Sequence, residues 1–150
     1  MPSSRFPDDQ IDAFIAQSRI PLRLAVVDGS GFPIVLSLWF LYEDRQLWCA
    51  TKASAQVIRH LTAQPRCGFE VAGDTPPYRG VRGKGLASLH PERGADILTR
   101  LLDRYAIVPG SKLATTLLAK SAEEVAIRIV PDRISHWDFS RRMTDAIAPA

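Results

Sequence analysis

The sequence predicts an α+β domain, mainly β: a barrel-like arrangement of about six or seven mostly antiparallel strands with flanking helices. Three observations predict it. Short runs rich in Val, Ile, Leu and Trp recur between polar turns, as in Leu22-Arg23-Leu24-Ala25-Val26-Val27 and Leu47-Trp48-Cys49-Ala50-Thr51, which is the signature of strands. The early strands are separated by short turns, so neighbours meander and pair antiparallel. Apolar residues spaced three and four apart mark a few short amphipathic helices between the strands, suited to cover barrel ends or a dimer surface.

The chain of 150 residues fits a single domain spanning 1–150, with an N-terminal helix within 1–20 and a tail over 140–150. Apolar residues make up 46% and charged residues 23%, the balance of a chain that builds a core rather than one that stays disordered. The formal net charge is +3, but no run of five or six like charges marks a nucleic-acid arm, so nucleic acid is not an expected partner. Residues 1–9 carry no apolar core of a secretory leader, and no stretch is long and apolar enough to span a membrane. The expected location is the cytoplasm. Cys49 and Cys67 both sit in apolar, strand-like runs without a C-x-x-C pattern, and read as reduced core thiols.

Taken in order, Asp8 or Asp9 can cap a helix bearing Ile11, Phe14 and Ile15, which must stop before Ile20-Pro21. Leu22 to Val27 is a strand. Asp28-Gly29-Ser30-Gly31 is a turn, and both glycines can take positive φ. Pro33 to Tyr42 is apolar almost throughout and reads as one strand buried on both faces. Glu43-Asp44-Arg45-Gln46 turns the chain into a return strand, Leu47 to Thr51. A helix over Ser54 to Ala63, with Ser54 as its cap, buries Val57, Ile58 and Leu61 and ends at Gln64-Pro65.

Cys67 to Val71 alternates as a strand. A loop rich in Gly and Pro then leads into a strand over Val81 to Leu89, where Gly83 and Gly85 predict a bulge or a close backbone approach. The longest helix runs over Pro91 to Tyr105 with Pro91 in its first turn, and a shorter one covers Ser111 to Lys120. Glu124 to Val130 alternates as a strand, Pro131-Asp132 is a turn, and Arg133 to Phe139 is the last strand.

The familiar catalytic signatures are missing. Gly80-x-x-Gly83-x-Gly85 has the wrong spacing and context for a dinucleotide turn, and no phosphate-binding P-loop or nucleophile elbow occurs. His60, His90 and His136 stand far apart without metal-ligand spacing, so no metal site is expected. The acidic pairs Asp8-Asp9, Glu43-Asp44 and Glu123-Glu124 read as solvated turn or helix-start residues. No catalytic residue can be named, and an enzyme built on this chain must borrow its chemistry from a cofactor.

Several segments, in order, carry a resemblance. Asp28-Gly29-Ser30-Gly31-Phe32-Pro33 precedes a strand ending in Leu38-Trp39-Phe40-Leu41, then a strand ending in Ala50-Thr51. A helix with basic residues then leads to Gln64-Pro65-Arg66. Pro76-Pro77-Tyr78-Arg79-Gly80-Val81-Arg82 and the closing Trp137-Asp138-Phe139-Ser140 follow. This order, from Pro21 to Ser140, resembles the FMN-binding split β-barrel family of pyridoxamine 5'-phosphate oxidase and its relatives.

The resemblance implies a homodimer with FMN in a groove between subunits, and an oxidoreductase acting on an unknown small molecule. The deazaflavin-dependent reductases, and flavin or haem carriers without enzymatic activity, share such a fold and remain alternatives, as does a groove that has lost its cofactor. It further implies that strand backbone around Leu38, Trp39 and Phe40 meets the ring edge. The phosphate would lie at the junction of Thr51, Lys52 and Ser54, where a helix start offers free N–H groups to an anion. Gln56 or Val57, depending on the alignment, stands where relatives carry a lysine, and Lys52, Arg59 or an arginine of Arg79 to Arg82 would be the groups to compensate. Tyr78 and Arg79 would border the ring. From the residues alone, Lys52 and Arg59 read as well as solvated side chains, Trp39 and Trp48 as core, and Tyr78 and Arg79 as surface loop. A haem site would have only His60, His90 and His136 as histidine ligands.

Overall fold

The structure, a computed structural model, describes residues 9–147. Asp8, one of the two candidate caps of the first helix, lies outside them. Seven strands form one sheet: β1 (Leu22–Val27), β2 (Pro33–Leu38), β3 (Leu41–Glu43), β4 (Gln46–Lys52), β5 (Arg66–Ala72), β6 (Arg79–His90) and β7 (Glu124–Asp138). Four helices accompany them: α1 (Asp9–Gln17), α2 (Gln56–Ala63), α3 (Gly94–Arg104) and α4 (Lys112–Ala119). The strand order is β2-β1-β5-β6-β7-β4-β3 and every pairing is antiparallel. The sheet is not closed, because β2 and β3 remain its edges. Yet Leu36 and Leu38 of β2 and Tyr42 of β3 pack against the same core, the arrangement of a split barrel.

Period-2 alternation builds that core. Leu22, Leu24 and Val26 of β1 and Cys67, Phe69 and Val71 of β5 point inward, where Ile11 and Ile15 of α1 and Val57 and Leu61 of α2 cover them. On the outer face, Ile97 and Leu101 of α3 pack on Leu41, Trp48 and Ala126. The first half of β7 is therefore buried on both faces. The rest of the outer face, across β2, β1, β5 and β6, is open: Val35 is 66% and Leu86 55% exposed.

Local chemistry sets the turns. The Asp28 carboxylate accepts hydrogen bonds from the amides of Ser30 and Phe32, both at 2.9 Å, and only Gly31 takes positive φ there, at 86°. Asp44 and Arg45 form a two-residue hairpin with φ of 51° and 59°, the geometry that matches strand twist.

Four expectations need correction. The predicted strand over Pro33 to Tyr42 is two strands, interrupted at Trp39-Phe40, and β2 is largely exposed because it is an edge. Pro131-Asp132 is not a turn: β7 runs through it, and the register shifts opposite Lys84/Gly85 make it a bulge, a position where proline's missing N–H is tolerated. Gly85 fits this point because a Cβ there would collide with the Val130 carbonyl oxygen. The helix after β4 starts at Gln56 with Ala55 as its cap, since Ser54 lies in the preceding turn. The long helix opens as a separate 3-10 turn, Pro91–Arg93, before α3 begins at Gly94. There a Cβ would collide with the carbonyl oxygen of Glu124, so α3 seats directly on the start of β7.

Candidate functional site

Where β2 ends, β4 ends and α2 begins, the chain leaves an open cleft of about 510 Å³. Ser37, Leu38 and Trp39 form one side, and Ala50, Thr51 and Lys52 run along the floor. Ser54 and Ala55 close the end beside α2, and Leu98, Leu101 and Leu117 supply an apolar wall from α3 and α4.

The floor follows from strand register. Lys52 pairs with Glu124 and Ala50 with Ala126 across β4 and β7, so these side chains share the outer face. Trp39 is held from behind: its ring stacks on Tyr105 with centroids 5.2 Å apart and planes within 17°. The Phe40 amide donates to the Tyr105 hydroxyl at 3.3 Å, tying the interruption after β2 to the end of α3. No side chain caps α2, so its leading N–H groups face this end of the cleft without a side-chain partner.

Five of the ten predicted binding residues, Leu38, Trp39, Thr51, Lys52 and Ser54, come together here. Phe40 does not line the cleft; it is fully buried, with the Arg104 guanidinium 5.0 Å above its ring. Gln56 and Arg59 are exposed on α2 outside the lining. Tyr78 and Arg79 lie elsewhere. Arg79 stands 5.6 Å from the Phe14 ring and borders a separate cavity of about 220 Å³ with Trp137. Trp48 is buried under Arg93, 4.3 Å from its ring, and Trp137 packs on Gly80 with Arg82 above it.

None of His60, His90 and His136 lines the cleft. His90 instead joins Ser88 and Glu92 in a hydrogen-bonded chain of 2.8 and 3.2 Å outside it. Cys49 and Cys67 are buried and unbridged, and burial pushes the Cys67 thiol up to about 11. Among the described residues no cluster of three or more His, Cys, Asp or Glu could hold a metal, and no helix is long and apolar enough to cross a membrane.

Sequence reasoning missed Glu124. It is not a solvated turn residue: it is 6% exposed, the single charged side chain that the fold buries among the described residues, and it lines the cleft. Burial holds its carboxyl above the usual carboxylate range, with Lys52 pulling it down and Glu123 pushing it further up. The wall of Leu98, Leu101 and Leu117 was missed as well. Their helices were legible, but where those helices would return over the sheet was not.

Similarity to known proteins places this geometry. The sequence profile described as pyridoxamine 5'-phosphate oxidase matches residues 7–138. No curated protein matches the chain in sequence. Among solved structures it resembles the conserved hypothetical protein Rv2991 of Mycobacterium tuberculosis, with 26% identity, a TM-score of 0.76, and 97% of this chain and 91% of that one covered. An F420 reductase superposes with a TM-score of 0.71 at 23% identity, over 86% of this chain and 98% of that one. A FAD-binding protein of Mesorhizobium loti superposes with a TM-score of 0.62 at 22% identity, over 87% and 94%. The profile match over most of the length, on an open antiparallel sheet of the predicted kind, shows that the chain belongs to the pyridoxamine 5'-phosphate oxidase family.

Proposed function

We propose that this chain is a flavin-binding oxidoreductase that holds FMN in the cleft between β2, β4 and α2, works as a homodimer, and acts on a small molecule. The observation that carries the reading is the joining of a planar aromatic face to an anion anchor. Trp39, fixed by Tyr105, offers the face. Lys52, Ser54 and the uncapped start of α2 offer the anchor. A bound flavin supplies hydride or electron transfer, chemistry that no residue of this cleft provides. Thr51 and Ser54 can donate hydroxyl hydrogen bonds to a phosphate, and Lys52 adds its charge. Leu98, Leu101 and Leu117 exclude water from the opposite wall.

One observation supports a second subunit. The outer face of β2, β1, β5, β6 and the middle of β7 carries exposed Val27, Val35, Leu86 and Val130 around the small residues Ala25 and Gly68. Arg79 lines other cavities than Lys52, so a role for Tyr78 and Arg79 beside the ring requires that they come from the other subunit. A deazaflavin cofactor is the second reading. The F420 reductase with the same fold supports it, and so does an anchor of one lysine open to any phosphorylated tail.

The test is the visible spectrum of the purified protein, mass analysis of what acid releases, and titration with FMN. The expected result is oxidised-flavin bands with FMN released. Lys52→Ala should weaken FMN about tenfold, the scale of one charge-assisted hydrogen bond, while riboflavin, which lacks the phosphate, is unaffected. A released deazaflavin would select the second reading. A colourless protein that takes up neither cofactor would overturn both.

A further inference from the structure

The Glu124 carboxyl feels the charge of Lys52 across the strand pair but is not in contact with it. Neither a hydrogen bond nor an ion pair among the described residues engages its carboxyl. The groups facing it are few. Lys52 comes from β4 and Glu123 from the turn before β7. α3 brings Leu98 and Leu101, and α4 brings Leu117. The Glu124 side chain is 6% exposed, yet its oxygens are not among the sealed, unpartnered polar atoms of the described residues, so what exposure the carboxyl keeps is to the cleft it lines. Its backbone has a packing role, since Gly94 sits on its carbonyl, but that contact would be the same with any side chain at this position. The buried acid therefore answers to something that enters the cleft.

We propose that Glu124 is a binding residue of this cleft, hydrogen-bonding a neutral donor of the ligand, a sugar-alcohol hydroxyl or a ring N–H, while Lys52 takes the ligand's anionic end. The inference rests on the flavin reading and deepens it. Lys52 and Glu124 are a directly opposed cross-strand pair, so their Cα atoms stand roughly 4.5–5.5 Å apart. Lys52 is the exposed member of the pair, whereas Glu124 is buried and shares the cleft with the leucine wall. The two side chains thus sort a ligand by polarity: charge outward, hydroxyl or N–H inward. A second phosphate directed at Glu124 would meet a like charge or an apolar surface, so ligands anionic at both ends are rejected.

The experiment titrates riboflavin and FMN into wild type, Glu124→Gln and Glu124→Leu, read by quenching of flavin fluorescence, with thermal melts of the ligand-free proteins. Glu124→Leu fills similar volume without a polar group. It is expected to melt no lower than wild type and to bind both flavins about tenfold more weakly. Glu124→Gln keeps a hydrogen-bonding oxygen and is expected to stay within about threefold for riboflavin. Wild-type affinity for both flavins in Glu124→Leu would overturn the inference while leaving the flavin reading intact. Failure of wild type to bind either flavin would overturn the reading and the inference with it. If Glu124→Leu does not fold, Glu124→Ala is read in its place by the same criteria.

Discussion

Asp28 organises the β1–β2 turn through the Phe32 amide, the Ser30 hydroxyl and the Ser30 amide, and these bonds hold its carboxyl below the usual carboxylate range. A depressed folded-state pKa means that the contribution is present above the unfolded value, near ~3.9, and is lost as pH falls through the folded one. Asp28→Ala is expected to be less stable than wild type at neutral pH, with the gap narrowing below about pH 4, as chemical denaturation at several pH values will show. This turn was legible because an Asp-Gly dipeptide acts within five residues. Glu124 was not, since an acidic pair at a strand start looks solvated until α3 and α4 are known to return over it. Among the cofactor candidates the same division holds. Leu38, Trp39, Thr51, Lys52 and Ser54 could be grouped through the family resemblance, which implies a ring edge along one strand and a phosphate at a strand-to-helix junction. Tyr78 and Arg79 could not be excluded from that group by any local rule.

At the level of elements, β2 shows what an apolar run does not say. Residues 33–38 read as doubly buried, yet sheet order made them an edge, and order depends on which strands pair across long loops. The reverse holds for β7, where proline suggested a turn and the sheet absorbed it as a bulge. Helix docking is set by a few polar contacts. Arg104 of α3 donates to the Ser18 carbonyl at 2.6 Å and the Ile15 carbonyl at 3.3 Å, satisfying the last carbonyls of α1 while lying over Phe40. Arg104→Met is expected to destabilise the protein by about 1–3 kcal/mol in denaturant titrations, with faster amide exchange in α1 than in β5.

For the whole molecule, an open sheet leaves a face and two edges that a closed barrel would not have. The proposed homodimer uses that face. Val35→Asp combined with Leu86→Asp is expected to yield a folded monomer by light scattering, with FMN affinity lowered at least tenfold if the groove needs both subunits. A doubly substituted protein that stays dimeric would place the subunit contact elsewhere.

The seat of α3 on the Glu124 carbonyl has its own consequence. With no methyl between Gly94 and that oxygen, α3 has no slack against β7. Leu98 and Leu101, on the same helix, are thereby set at a fixed height over the strand. That side of the cleft is expected to act as a gauge, rejecting a molecule that is too broad instead of opening for it. What give there is must come from α4, which packs chiefly on α3 and reaches the cleft through Leu117. Descendants of this fold that change ligand size should therefore diverge in α4 while keeping position 94 bare.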